Sequence, residues 1–253
     1  IMGYDYKEGK KRVEEILNNS ISIEDSKKIP KDDKLFTFDN GYYNWVTAIF
    51  VDIRDSSDLF SKKGLRDKKE TAKIVRAFTS EIIEILRDDD NLREIGIRGD
   101  CVYAIYTTPS KGDEINCADK TFYINTYIKM LNKMLVAEGK YAFKAGIGMA
   151  TSQELVIKAG RQYTGINSKV WIGNAVSRAS NLSSLGQSSL TSDRLFYSQS
   201  SYDNFIIQLK NRNAGKNVDS WFAKYEDEEG NVSYHADIIK EDYNNWINSG
   251  MDL

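Results

Sequence analysis

A carboxylate set inside an apolar run is the strongest constraint on this chain. Residues Val46 to Ile53 have the β-branched and aromatic make-up of a strand, yet Asp52 sits one residue before its end. A charged side chain in such a run costs free energy unless it meets a partner or a ligand. The segment Phe50-Val-Asp-Ile-Arg-Asp-Ser-Ser57 then runs into a short polar loop before a helical pattern. A second carboxylate, Asp100, stands at the tip of a tight turn, Ile97-Arg-Gly-Asp100, between the apolar runs Glu94–Ile97 and Cys101–Tyr106. Two carboxylates at neighbouring strand ends, beside free backbone N–H groups, suit divalent metals and a polyphosphate. In the competing reading, Asp52 caps the following helix and Asp100 only stabilises a turn.

Periodicity places these segments in an alternating order without internal repeats. An amphipathic helix is expected over residues 7–18, with Val13, Ile16 and Leu17 on its buried stripe. Residues 19–40, polar and containing Pro30, read as a connecting arm. After the strand at 46–53 come a helix from Lys68 to Arg87, the hairpin at 94–106 and a helix near 115–138. Strands at 142–150 and 154–159 are expected to flank a polar turn at Thr151-Ser-Gln153, and Gly173 opens a helix to about Leu185. The last third adds a few strands, a hairpin turn at Gly230-Asn231 and a short helix near 240–248. This rhythm is that of an α+β, ferredoxin-like βαββαβ sheet with helices on one face, plus an N-terminal helix and a C-terminal extension. The expected divisions are residues 1–40 for the helix and arm, 41–226 for the catalytic unit, and 227–253 for the C-terminal hairpin strand and helix.

Composition removes several function classes. With 253 residues the chain can bury a good core, and a net charge of −2 gives no global positive field to recruit nucleic acid or an anionic membrane. Cys101 and Cys117 lie in apolar segments without CxxC spacing, as suits a reducing cytoplasm. One histidine, His235, leaves little room for His-based metal or triad chemistry. No apolar run reaches spanning length, so membrane insertion is not expected. The stretch Ile1-Met-Gly-Tyr shows no secretory pattern, and Ile1 reads as a cloning remnant.

Four segments in order, Phe50-Val-Asp-Ile, Arg98-Gly-Asp100, Lys144-Ala-Gly-Ile-Gly148 and Ile172-Gly-Asn-Ala-Val-Ser-Arg-Ala-Ser-Asn-Leu182, resemble the motifs of class III nucleotidyl cyclases over roughly residues 44–225. The chain looks most like the pyrimidine cyclases of bacterial Pycsar antiphage systems, which make cyclic UMP or cyclic CMP. The resemblance implies two divalent ions, Mn²⁺ or Mg²⁺, held by Asp52, Asp100 and the carbonyl of Ile53. It implies a loop at Ser56 and Ser57 that wraps the triphosphate with backbone N–H groups, although both side chains suit ordinary N-caps as well. Phe50 shares the face of Asp52 and could border the nucleotide, with a place in the core as the favoured reading, and Arg98, just before Gly99, could reach a pyrimidine O2 or a phosphate. Arg54 is expected to point away from Asp52. Lys210, in the basic segment Leu209–Lys216, is the candidate triphosphate lysine, with Lys216 second; a solvated basic hairpin is the competing reading.

Departures from the family fall on the helix after Gly173 and on the base pocket. Ser177 and Asn181 stand where purine cyclases carry an Asn and an Arg, and positions i and i+4 share a helix face. Arg178, about 100° round the helix, could supply the missing cation to a phosphate or to a dimer partner. Gly96 and Val170 replace the Lys and Asp that read adenine, which turns the expectation to another base. The resemblance also implies a homodimer with composite sites, for which Tyr42, Tyr43, Trp45 and Trp171 are candidate anchors. The expected function is conversion of UTP to 3′,5′-cyclic UMP and pyrophosphate in the cytoplasm, with a separate cyclic-nucleotide-binding effector reading the product. Cytidylate cyclase, adenylate cyclase and a catalytically silent nucleotide-binding domain are the alternatives. A diguanylate cyclase is disfavoured, since the chain has no Gly-Gly-Asp/Glu-Glu-Phe loop.

Overall fold

A 14-residue strand with an alternating inside–outside pattern organises the sheet. The computed structural model describes residues 3–25, 28–54 and 68–252. Along the chain run α1 (Tyr6–Asn18), β1 (Ser22–Asp25), β2 (Asn40–Ile53), α2 (Lys68–Arg87), β3 (Leu92–Arg98), β4 (Cys101–Thr107) and α3 (Lys111–Ala137). There follow β5 (Ala145–Gly160), β6 (Asn167–Ile172), α4 (Ala175–Ser183), β7 (Leu195–Ser198), α5 (Gln199–Arg212), β8 (Ala223–Glu226), β9 (Val232–Ala236) and α6 (Glu241–Asn248). The strands form one sheet in the order β3-β4-β2-β5-β7-β9-β8, with β1 beside β2 and β6 beside β5. The elements β2-α2-β3-β4-α3-β5, with strand order β3-β4-β2-β5, are the expected βαββαβ unit.

The two faces of β2 build two cores. Ile49, Val51 and Ile53 pack with Phe78, Ile82 and Leu86 of α2 and with Phe122, Ile128 and Leu131 of α3. Val46 and Ala48 face the other way, toward Ala175, Ala179 and Leu182 of α4. The helices of the βαββαβ unit thus share one face, and α4, outside that unit, covers part of the other. This covering is intimate. An added Cβ on Gly148 would lie 2.0 Å from the Ala179 carbonyl oxygen, and one on Gly146 1.8 Å from that of Ser183. Those glycines let the α4 backbone lie directly on β5.

Three expectations change. The α1 helix forms where its period predicts, but Val13, Ile16 and Leu17 are 53, 67 and 77 % exposed, so the stripe does not pack into the core. Thr151-Ser-Gln153 is not a turn; β5 runs unbroken from Ala145 to Gly160. Thr151 is buried there because its hydroxyl bonds Thr47 at 2.9 Å, Ser201 at 2.9 Å and Glu114 at 2.9 Å. The expected arm at 19–40 contains β1, which pairs in parallel with β2. At the other end, β8 and β9 pair across residues 227–231, and β9 continues the sheet beside β7.

Candidate nucleotide site

Register brings the predicted residues together at one end of β2. Asp52 is opposite Cys101 of β4 and Gly146 of β5, and Cys101 is opposite Arg98 of β3. Paired residues point to the same face, so Phe50, Asp52, Cys101, Tyr103, Gly96 and Arg98 share the face that α4 partly covers. Asp100 follows Gly99 in the two-residue turn that joins β3 to β4. Gly99 has φ +64°, the left-handed value a two-residue hairpin needs at its first central position.

Electrostatics mark Asp52 as a carboxylate in need of a counter-charge. Its pKa is raised, first by partial burial and then by the charge of Asp100, while Arg54 lowers it. Two acids that repel one another at a strand end are a donor set a divalent cation would relieve. Among the described residues, no cluster of three or more His, Cys, Asp or Glu forms a cage. A metal here would therefore complete its shell with the Ile53 carbonyl, water and phosphate oxygens, as magnesium-type sites do. Arg54 corrects the expectation that it points away: residues two apart on a strand share a face, and its charge reaches Asp52.

The remaining predicted residues divide into three groups. Ser56 and Ser57 lie outside the described residues. Phe50 is half-buried and stacks on Tyr103 with ring centroids 5.4 Å apart, while Arg98 and Gly99 are exposed at the hairpin. Lys210 ends α5 and pairs with Asp219 at 2.7 Å. The neighbouring α5 residues Phe205, Ile206 and Leu209 pack into the core on the side opposite Asp52, so this chain does not bring Lys210 to the carboxylates.

Ser177, Arg178 and Asn181 line a separate cleft of about 630 Å³ with Trp45, Gln199 and Asn231. Buried Glu154 fixes the start of α4 by accepting the Ala175 N–H at 2.6 Å. Arg178 Nη1 donates to Asp227 Oδ2 at 3.2 Å, on the hairpin between β8 and β9. From Trp45 to Asp52 the strand rises about 23 Å. Trp45 in the cleft and the carboxylates thus lie toward opposite ends of β2, while the last turn of α4 reaches back to Gly146, the partner of Asp52 on β5.

A polar cluster near Gly96 escaped the sequence reading. Glu94 accepts the Tyr103 hydroxyl at 2.9 Å and the Trp171 indole N–H at 2.8 Å. Lys169 and Trp171 reach β3 from β6, whereas Val170 between them is 40 % exposed on the other face of β6. Trp171, not Val170, thus meets the strand that carries Gly96. Of the four aromatic residues expected as interface anchors, Tyr42 is buried against Phe36 and Trp171 is tied to Glu94. Tyr43 and Trp45 remain 37 and 40 % exposed.

No helix among the described residues is long and apolar enough to cross a membrane. No family model matches the chain. It is 48 % identical over 251 residues to a uridylate cyclase of Treponema porcinum, covering 99 % of this chain and 83 % of that protein. It is 36 % identical over 206 residues to a uridylate cyclase of Gulbenkiania mobilis, covering 79 % of each. Among solved structures, the adenylyl cyclase CyaB of P. aeruginosa matches with a TM-score of 0.59 at 16 % identity, over 78 % of this chain and 95 % of that one. Near full-length identity to the first relative leads to one placement, with which the shared fold agrees: the chain is a nucleotidyl cyclase and belongs to the family of the uridylate cyclases.

Proposed function

We propose that this cyclase converts UTP to 3′,5′-cyclic UMP and pyrophosphate, in the cytoplasm, as a second messenger of antiphage defence read by a separate effector. The observation that carries the activity is the convergence of Asp52 and Asp100 at one end of β2, where the charge of Asp100 raises the cost of ionising Asp52. The uracil preference is supported by the relatives' names and by Gly96, which leaves no side chain at the position that reads adenine in purine cyclases.

Two divalent cations, when bound, supply Lewis acidity at the attacking hydroxyl and charge neutralisation at the departing pyrophosphate. Asp52, Asp100 and the Ile53 carbonyl are the groups that would hold them. Asp52 and Asp100 also set the place of the α-phosphate, and Arg98 beside them is free to meet a phosphate oxygen. The ribose 3′-hydroxyl gives its proton to water, and its oxygen attacks that phosphorus as the bond to the pyrophosphate oxygen breaks. Ser177 and Asn181 are neutral groups suited to holding the ribose, and Arg178 is the cation suited to the charge that develops on the phosphate. Ser177 and Arg178 lie toward the Trp45 end of β2, so these three would come from a second copy, in a homodimer with two composite sites. The catalytic unit is taken as residues 41–226, its sheet extended by the flanks at 1–40 and 227–253.

The test is incubation of the protein with each of the four ribonucleoside triphosphates and Mn²⁺ or Mg²⁺, with products identified by mass. Cyclic UMP as the dominant product is the expected result. Fastest turnover of ATP would overturn the base assignment and leave an adenylate cyclase with a different pocket.

A further inference from the structure

Glu94, Gly96 and Arg98 lie on one face of β3 at successive steps of the pleat. The middle position has no side chain, and the Tyr103 ring fills the space one would take: an added Cβ on Gly96 would stand 2.8–2.9 Å from its hydroxyl oxygen and ring carbons. Tyr103 in turn stacks on Phe50 at 5.4 Å, one pleat step from Asp52. An aromatic platform therefore occupies the middle row, with an acceptor, Glu94, on one side and a donor, Arg98, on the other.

Glu94 is not free to swing. Tyr103 Oη donates to Oε1 at 2.9 Å and Trp171 Nε1 donates to Oε2 at 2.8 Å. Both donors are neutral, and each oxygen keeps a further lone pair. Glu94 and Tyr103 also form part of the wall of a cavity of about 490 Å³, where β3 meets β6. From Asp52 to the row of Glu94 is two steps of the pleat, about 14 Å. A carboxylate fixed by neutral donors at that distance from the metal-holding pair is placed to read the far edge of a nucleotide base.

We infer that Glu94, oriented by Tyr103 and Trp171, is the specificity residue that accepts the N3–H of uracil. This rests on the cyclase activity proposed above and deepens it. Uracil presents a donor at N3 where cytosine presents a lone pair. An ionised carboxylate accepts only, so it binds the first and repels the second. A buried polar group left facing the wrong partner is the strongest basis an enzyme has for rejecting a close analogue. Glu94 thereby separates UTP from CTP, a choice that Gly96 does not make.

The experiment compares UTP with CTP in the full-length protein and in Glu94→Gln, Tyr103→Phe and Trp171→Phe. It measures kcat and KM with each triphosphate, and equilibrium binding of the 3′-deoxy analogues, which lack the attacking hydroxyl and are not cyclised. A glutamine can accept from uracil or donate to cytosine, so Glu94→Gln should lower the UTP-to-CTP ratio of kcat/KM about tenfold or more, chiefly through the KM for UTP. The two orienting variants should move the ratio the same way by less. If UTP and CTP turnover fall together with the ratio unmoved, Glu94 is only a tie between β3 and β6 and the inference fails. It fails also if neither 3′-deoxy analogue binds the wild-type protein. If the wild type makes no cyclic product but binds 3′-deoxy-UTP over 3′-deoxy-CTP through Glu94, the activity fails and the base reader stands.

Discussion

At the scale of single residues, the carboxylates of this protein do three different things because they sit in three different environments. Asp52 and Asp100 repel one another where the proposed metals bind. Asp52→Asn and Asp100→Asn should each lower turnover by more than the 10- to 100-fold typical of outer-shell partners. The unfolding midpoint of the metal-free protein should stay level or rise, because a repulsion is removed. Near wild-type product formation from either variant would falsify the two-metal reading. Glu114 is different: buried behind the Thr47, Thr151 and Ser201 hydroxyls, its pKa is pushed by desolvation from about 4.5 up to about 7. The folded protein then holds a proton that the unfolded chain has already released. Stability is full below about pH 4.5 and falls as the pH rises toward 7, by on the order of 3 kcal/mol. Glu114→Gln should flatten that slope in denaturant titrations across this window, and an unchanged slope would remove Glu114 as its source. Asp52 was legible in the sequence because a charge interrupts an apolar run. Glu114 and Glu94 were not, since a glutamate in a polar helix turn or at a strand start looks solvated until the register supplies its partners.

At the scale of elements, periodicity read correctly wherever one element packs by its own apolar face. The bounds of α2 and the hairpin of β3 and β4 follow from such patterns. The α1 helix and β5 show where periodicity stops. A 3.6-residue stripe is identical whether the helix packs or stands off, and α1 stands off. A Thr-Ser-Gln triplet has the composition of a turn, but in β5 a buried chain of hydroxyls satisfies Thr151 and the strand continues. The contact of α4 with β5 also rests on something composition conceals, the missing side chains of Gly146 and Gly148. Gly148→Ala would place a methyl 2.0 Å from the Ala179 oxygen and 2.4 Å from the Ser183 nitrogen, both backbone atoms. It should cost about 1–3 kcal/mol in denaturant unfolding. Gly112→Ala, with only the Ser110 hydroxyl 3.6 Å away and in the first turn of α3, should be neutral or stabilising by up to about 1 kcal/mol. Equal losses from the two substitutions would mean that α4 yields easily and does not bear on β5.

At the scale of the whole molecule, the long central strand sets the question that the proposed second copy would answer. The same β2 carries Asp52 near one end and Trp45 near the other, and α4 presents Ser177, Arg178 and Asn181 beside Trp45. About 23 Å of strand separates Trp45 from Asp52, and Arg178 is engaged with Asp227 at the cleft rather than with the carboxylates of its own chain. The exposed rings of Tyr43 and Trp45 add apolar surface at the α4 end. Two copies arranged head to tail would bring each α4 against the other's Asp52 and Asp100. A chain with Asp52→Ala keeps α4 intact, and a chain with Ser177→Ala and Arg178→Ala keeps both carboxylates. Each should be inactive alone. Mixed in equal amounts and allowed to exchange, they should recover up to about a quarter of wild-type turnover, since half of the dimers would be mixed and each of those holds one intact site of two. Sedimentation would establish that the variants still dimerise. Silence from a mixture containing such dimers would mean that the chemistry is completed within one chain, by residues other than those on α4.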